Sequence, residues 1–303
     1  MAIRDLFYLL VNDYWEHVQG GKWCSLLPLT GEENRFAALI HFKDYAYERN
    51  VSGAALVYKE LAGIALSGLR TGDWSSDNTE ADIWRIFKEE CSKRGAKGIE
   101  PNVKVNPLRP SAGGKKSLLA FVRDVAPRET IAAWAFRMIS EGRIAEAHSA
   151  LKTVWGVGDK IASFYLRDIF WLGHGLNPAV TIEADYLLQP IDIWVERAGQ
   201  ALGHVGKSKV SLARFISSFE RENNIAHGGA NIGCWILGSN YLDHPQEFRS
   251  VLQAIANKAP DSTLALSVAN RFETVLGGFG VKLKDIIRHN NREHPIAERA
   301  SPG

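Results

Sequence analysis

The chain has 303 residues, of which 46% are hydrophobic and 23% charged, and its formal net charge is +2. This length allows one large or two ordinary domains with a sizeable core, and the nearly balanced charge does not by itself indicate a nucleic-acid partner. Three scattered cysteines without a Cys-x-x-Cys pair fit a reducing compartment and exclude a four-cysteine zinc or iron–sulfur site within these residues.

Apolar residues recur at helical spacing along most of the chain, while alternating strand patterns are almost absent. We therefore predict a mainly α fold. The apolar run at 6–11 fits an amphipathic helix rather than a signal peptide, and no run approaches the roughly 18 apolar residues of a membrane span, so we expect a cytoplasmic protein without membrane attachment. The predicted helices cover residues 4–19, 33–49, 53–67, 79–94, 117–125, 128–141, 143–155, 159–172, 193–202, 209–222, 229–242, 245–259 and 263–276.

A long loop interrupts the helical pattern between residues 93 and 128, because its middle is rich in Pro, Gly and Asn. It has nine basic residues against two acidic ones, a local net charge of +7. Such a charge run is often only a solvated face, but it also suits contact with a nucleic-acid backbone. Lys115 and Lys116 are the candidates for that contact.

The stretch LKTVWGVGDKIASFYLRDIF, residues 151–170, joins two predicted helices through Gly156, Val157 and Gly158. Both helices are amphipathic, and a connection of three or four residues would require them to pack as a helical hairpin. Gly156 suits the left-handed residue that follows a helix. Gly158 leaves the N–H groups at the start of the second helix uncovered, where a DNA phosphate could bind without regard to base sequence. A plain turn between two helices is the alternative interpretation.

Two motifs resemble the helix-hairpin-helix DNA glycosylase superfamily. The hairpin has the hydrophobic-Gly-Val-Gly-x-Lys form, which ends at Lys160, and Pro190-Ile191-Asp192 in QPIDIWVERAGQALG is similar to the family's Pro-hydrophobic-Asp motif. The separation of 32 positions between Lys160 and Asp192, and the later stretch GGANIGCWILGSNYL, resemble the archaeal 8-oxoguanine glycosylase branch. The resemblance covers roughly residues 143–242, a third of the chain.

This resemblance implies two helical domains that flank a cleft. Residues 50–175 would form a domain that ends in the hairpin, and residues 1–49 with 176–303 would form a second domain made from both termini. The resemblance also implies a monomer that binds double-stranded DNA without a cofactor, apart from a structural monovalent or divalent ion that the hairpin could hold. No iron–sulfur cluster is expected, because the cysteines are not clustered.

The same resemblance implies base excision, in which Lys160 and Asp192 act on a nucleotide that is flipped out of the duplex. Asp192 would stabilise the positive charge that develops at C1′ as the base leaves. Lys160 would attack C1′ as a neutral amine and form a Schiff base, which can lose the 3′ phosphate by β-elimination. Trp235, Trp194 and Phe164 are the candidates for the base pocket.

Each of these residues also has a structural interpretation. Asp192 suits the N-cap of the helix that begins at Ile193, and a cap that holds the carboxylate still is compatible with catalysis. Lys160 could contact only a phosphate, which would make the enzyme a glycosylase without lyase activity. Aromatic residues at helical spacing most often belong to a core.

Several functions fit these observations. The first is excision of 8-oxoguanine in DNA repair, and the second is excision of a hypermodified pyrimidine from phage DNA, suggested by the added length and the unmatched basic loop. A third is a helix-hairpin-helix protein that binds DNA without catalysis. A helical protein–protein scaffold is a further alternative, which the charged loop and the hairpin disfavour.

Overall fold

In a computed structural model, the chain is described over residues 3–13, 29–48, 54–71, 77–96, 105–175, 182–241, 247 and 270. These residues form a mainly α structure, which confirms the predicted class, and no strand is found among them. A π-helix, Leu237–Tyr241, extends the last α-helix. Short 3-10 helices lie at Glu32–Asn34, Gly68–Thr71 and Asp185–Leu188. The α-helices are α1 (Ile3–Asp13), α2 (Arg35–Ala46), α3 (Ala54–Ser67), α4 (Asp77–Lys93), α5 (Leu118–Val125), α6 (Ile131–Ser140), α7 (Ile144–Leu151), α8 (Asp159–His174), α9 (Ile193–Leu202), α10 (Lys209–Glu222) and α11 (Gly229–Ile236).

Most of these helices lie within a few residues of the predicted ones, and α9 and α10 agree with the prediction at both ends. Helix α7 ends at Leu151 rather than at Trp155, and α11 ends at Ile236 rather than at 242, where a π-helix continues it. Helix α6 begins at Ile131, later than predicted, because the side chain of Thr130 caps it there. The predicted helices that fall almost entirely outside the described residues are those at 245–259 and 263–276.

The chain divides into two compact units, and their bounds differ from the domains expected from the sequence. The hairpin unit consists of Trp23–Gly175 and Val180–Pro190. The terminal unit consists of Met1–Lys22, Leu176–Ala179 and Ile191–Gly303. Helix α2 packs on α3, α6 and α8, so it belongs with the hairpin rather than with the terminal segments.

An aromatic core in the hairpin unit centres on Tyr165 of α8, which is fully buried. The rings of Phe42 and Tyr45 from α2 lie 4.8 and 5.4 Å from its ring. The Tyr45 hydroxyl donates to Oδ2 of Asp168 at 2.6 Å, and the Arg167 guanidinium donates to Oδ1 at 2.8 Å. The Arg167 charge balances the buried Asp168 carboxylate, and the hydrogen bond from Tyr45 to that carboxylate ties α8, which carries Lys160, to α2.

In the terminal unit, α1 packs against α11. The ring of Phe7 lies where a Cβ at Gly233 would stand, so the two helices approach closely at this glycine. The backbone N–H of Ala226 donates to the hydroxyl of Tyr8 at 3.2 Å. These contacts connect the first helix of the chain to the segment that follows α10.

Candidate functional site

The connection between α7 and α8 is longer than predicted. Helix α7 ends at Leu151 and α8 begins at Asp159, so the expectation of three or four connecting residues was wrong. Beyond the end of the helix, Val154 pairs with the neighbouring loop at Lys116. Gly156 has the left-handed backbone that the sequence predicted, with φ of 74°. It shapes the turn into α8 rather than the end of α7.

Val157 and Gly158 lead directly into α8. The side chain of Val157 is buried. Gly158 is the N-cap, with an extended backbone and no side-chain cap, and a Cβ at this position would meet nothing within 4 Å. The start of α8 is therefore open at Gly158. This end of a helix is the positive end of its dipole, which is where the sequence predicts a phosphate.

Two charged residues occupy the first turn of α8. The Asp159 side chain is exposed, and its carboxylate lies 2.6 Å from the ammonium of Lys152, which lowers the pKa of Asp159. Lys160 is half-buried, and within the described part of the chain its ammonium makes no hydrogen bond or ion pair. The Lys160 ammonium thus remains available to a ligand, whereas the charge of Asp159 is balanced by Lys152.

The basic loop packs against the hairpin. The N–H of Lys116 donates to the carbonyl of Thr153 at 2.9 Å, and the N–H of Trp155 donates to the carbonyl of Lys116 at 3.0 Å. The Arg109 guanidinium lies over the Trp155 ring, 4.6 Å from its centre. The structure therefore brings Lys115 and Lys116 together with the Gly-Val-Gly turn, although the sequence separates them by about 40 positions.

Both lysines already have protein partners. The ammonium of Lys115 donates to the carbonyl oxygen of Lys152 at 2.6 Å, and the ammonium of Lys116 lies 2.7 Å from the Asp124 carboxylate. Lys116 is half-exposed in its ion pair, so a phosphate could still compete for it. The Lys115 ammonium also places a positive charge against the connection between α7 and α8, where it would repel a bound cation. The residues present therefore do not favour the hairpin ion that the resemblance allows.

Asp192 is the N-cap of α9, in the terminal unit. Its Oδ1 atom accepts the backbone N–H groups of Trp194 and Val195, both at 3.0 Å. Among the described residues, no hydrogen bond reaches Oδ2. One oxygen therefore holds the half-buried carboxylate in place, and the other remains available to a ligand.

The three predicted pocket aromatics do not share one environment. Trp194 and Trp235 are half-buried in the terminal unit, where the guanidinium of Arg197 lies 4.6 Å from the centre of the Trp194 ring. Phe164 belongs to the hairpin unit, one helical turn after Lys160, and its ring lies 5.0 Å from that of Tyr45. Partial exposure leaves all three able to contact a ligand, in addition to their packing.

The sequence did not reveal Glu220, which is fully buried at the end of α10. Its two carboxylate oxygens accept the N–H groups of Gly228 and Ala230, both at 2.9 Å, and so fix the start of α11. Burial raises the pKa of the Cys234 thiol in α11 well above its ordinary value, and the charges of Glu220 and Asp192 raise it further. The negative charges of Glu220 and Asp192 therefore both favour the protonated thiol of Cys234. The available signal was that Glu220 lies at core spacing on the apolar face of α10.

No helix in the described ranges is long and apolar enough to cross a membrane, and the same residues contain no cluster of three or more His, Cys, Asp or Glu side chains that could hold a metal ion. Comparison with known proteins found no matching family model, no similar curated protein and no similar solved structure.

Proposed function

We propose that this protein is a DNA glycosylase that binds duplex DNA through its hairpin and removes a damaged or modified base, with Lys160 and Asp192 as the catalytic residues. The proposal rests mainly on the unfilled hydrogen-bonding capacity of these two side chains. The Asp192 carboxylate is held through Oδ1 alone, and the Lys160 ammonium has no hydrogen bond or ion pair among the described residues. Polar groups that are positioned but unpaired are expected where a substrate supplies the missing partner.

The proposed DNA contact rests on the hairpin unit. The open N-terminus of α8 at Gly158 offers backbone N–H groups to one phosphate, and Lys116 lies in the loop that pairs with the same turn. These contacts read no base sequence, so they suit an enzyme that must search ordinary DNA for a rare base.

The proposed reaction begins when Asp192 accepts a proton from the Lys160 ammonium. The neutral amine forms a bond to C1′ while the bond from C1′ to the base breaks, and the departing base keeps the electron pair and takes the proton that Asp192 received. The Asp192 carboxylate restored by this transfer stabilises the positive charge that develops at C1′. The sugar then opens to a Schiff base on Lys160, and β-elimination releases the 3′ phosphate. Trp194, Trp235 and Phe164 would supply stacking faces for the flipped base.

The preferred substrate is 8-oxoguanine, on the sequence resemblance to the archaeal branch. Excision of a hypermodified pyrimidine from phage DNA uses the same residues and is the alternative substrate. We expect a cytoplasmic monomer that acts on double-stranded DNA without a cofactor.

The test is mass spectrometry of bases released from duplexes that contain oxidised, alkylated, deaminated or phage-type bases. We expect release of one base by the wild-type protein and its loss in Asp192→Asn. Borohydride should trap the wild-type protein on DNA and fail to trap Lys160→Gln. Full activity of Asp192→Asn would contradict the assignment, and duplex binding without any released base would favour the non-catalytic DNA-binding protein.

A further inference from the structure

A second tight helical connection joins α9 to α10 in the terminal unit. Gly203 ends α9 with φ of 106°, and the N–H of His204 donates back to the carbonyl of Gly199 at 2.8 Å. The His204 ring lies 3.0 Å from the Ser211 hydroxyl through Nε2. A Cβ at Gly206 would stand 2.6 Å from that same Nε2 atom. The loop is therefore held in one shape by its backbone and by His204.

This ordered loop presents an apolar side chain to solvent. Val205 is 96% exposed, and Val210 in the first turn of α10 is 55% exposed. A single exposed apolar residue is common on protein surfaces and indicates no partner by itself. Val205 differs from such isolated residues because hydrogen bonds fix the conformation of the loop around it. The loop therefore keeps the Val205 side chain in solvent.

The sequence around Val205 is rich in basic residues. Between Glu196 and Glu220, residues 197–219 contain four Arg or Lys residues and no acidic residue. Lys207 is exposed and makes no ion pair with any residue in the described ranges, while Lys209 is 70% exposed with its ammonium 3.7 Å from Glu196. The four basic residues are Arg197, Lys207, Lys209 and Arg214.

We propose that the loop 203–210 is a second contact with duplex DNA, in which Lys207 and Lys209 bind phosphates and Val205 enters the minor groove. The inference rests on the proposed function in taking duplex DNA as the partner. Apolar side chains on basic elements enter the minor groove and part stacked bases, and Val205 is an apolar side chain on a basic loop. An anionic lipid surface would instead favour a broad apolar face, and the apolar part of this loop is small.

The test compares duplex binding by wild type, the double variant Lys207→Gln/Lys209→Gln and the single variant Val205→Ser. The matched controls are Lys88→Gln and Leu56→Ser, because these residues are also exposed but lie in the hairpin unit. We expect the double variant to reduce the slope of log affinity against log salt concentration by about 2. We expect Val205→Ser to lose roughly tenfold in affinity for a duplex with a tetrahydrofuran abasic site, and less for an intact duplex. The controls should match wild type.

Unchanged salt slopes and affinities in all loop variants would overturn the inference. The inference would also be overturned if the loop variants bound DNA like wild type but lost a binding to phosphatidylserine vesicles that wild type shows. That result would assign the loop to a membrane surface. Base release, measured separately, distinguishes the two proposals. If duplex binding requires the loop but no base is released, the glycosylase proposal is contradicted and the loop contact is supported. If bases are released and duplex binding does not depend on the loop, the glycosylase proposal is supported and the loop contact is contradicted.

Discussion

The ring of Trp194 lies against the backbone of Gly238, so closely that a Cβ at position 238 would stand 2.5 Å from a ring carbon. Trp194 is in the first turn of α9, beside Asp192, and its backbone N–H is one of the two that hold the Asp192 carboxylate. Gly238 belongs to the π-helix that follows α11. The glycine therefore allows the packing that positions the capped end of α9.

Replacement of Gly238 by alanine should displace the Trp194 ring. We expect a loss of about 1–3 kcal/mol in the free energy of unfolding, because the added methyl group overpacks a buried contact, together with slower base release. Urea unfolding and single-turnover excision measure the two effects. Gly68→Ala is the matched control, since a Cβ there meets nothing within 4 Å. Equal stability of the two variants would show that the Trp194 contact is easily rearranged.

Substitutions at Asp192 should separate capping from catalysis. Asparagine is as good an N-cap as aspartate, so we expect Asp192→Asn to keep the wild-type unfolding free energy within about 0.5 kcal/mol, while Asp192→Ala loses about 1 kcal/mol. Both variants should lose base release by at least about a hundredfold, because both lack the negative charge. Urea unfolding beside an excision assay measures this. Excision by Asp192→Asn at the wild-type rate would leave Asp192 with capping alone.

The two hairpin glycines should respond differently to alanine. Gly156 has a left-handed backbone, so we expect Gly156→Ala to lose roughly 1–2 kcal/mol of stability. Gly158 has an extended backbone with open space around its Cβ position. We therefore expect Gly158→Ala to fold normally but to bind duplex DNA severalfold more weakly, because the methyl group covers the N–H groups that would face a phosphate. Thermal unfolding and fluorescence anisotropy distinguish the two effects, and normal DNA binding by Gly158→Ala would argue against a phosphate at this helix end.

The ion pair between Lys152 and Asp159 should matter more for DNA binding than for stability. The side chains of Lys152 and Asp159 are 42% and 79% exposed, and solvent-exposed ion pairs contribute little to folding. Asp159→Asn removes a negative charge beside the proposed phosphate and releases Lys152, so we expect severalfold tighter duplex binding. The free energy of unfolding should change by less than about 1 kcal/mol. Anisotropy titrations at two salt concentrations test this, and weaker binding would indicate that the phosphate lies elsewhere.

His41 should make the stability of the protein sensitive to acid. Burial, with a smaller effect from the charge of Lys59, lowers the pKa of His41 from 6.5 to about 3. Below pH 6.5 the unfolded chain binds a proton at this histidine that the folded chain does not bind until about pH 3. The free energy of unfolding therefore falls as the pH drops through this window, by up to about 1.4 kcal/mol per pH unit from His41.

The variant His41→Phe tests this acid sensitivity, because phenylalanine keeps an aromatic ring against Tyr45, whose ring centre lies 4.9 Å from that of His41. Urea unfolding between pH 4 and 6 should show a shallower pH dependence for the variant. The same slope in both proteins would mean that His41 titrates at its ordinary pKa in the folded state.

The sequence by itself determined the features that depend on neighbouring residues. Helix α10 begins where the hydroxyl of Ser208 accepts the N–H of Ser211 at 3.0 Å, and α9 ends where Gly203 takes a left-handed backbone. Helical periodicity also predicted the mainly α class, and Gly156 was correctly predicted to be left-handed. Caps, turns and periodicity involve residues within about four positions of one another, so they can be recognised without the fold.

Only the tertiary structure decided the features that join distant parts of the chain. The pairing of Val154 with Lys116 joins the connection after α7 to the basic loop, and the placement of α2 in the hairpin unit depends on its contacts with α3, α6 and α8. The packing of Trp194 on Gly238 joins residues on separate helices. Residues of these types can pack against many different side chains. Which contact forms is decided only when the whole chain folds and buries them.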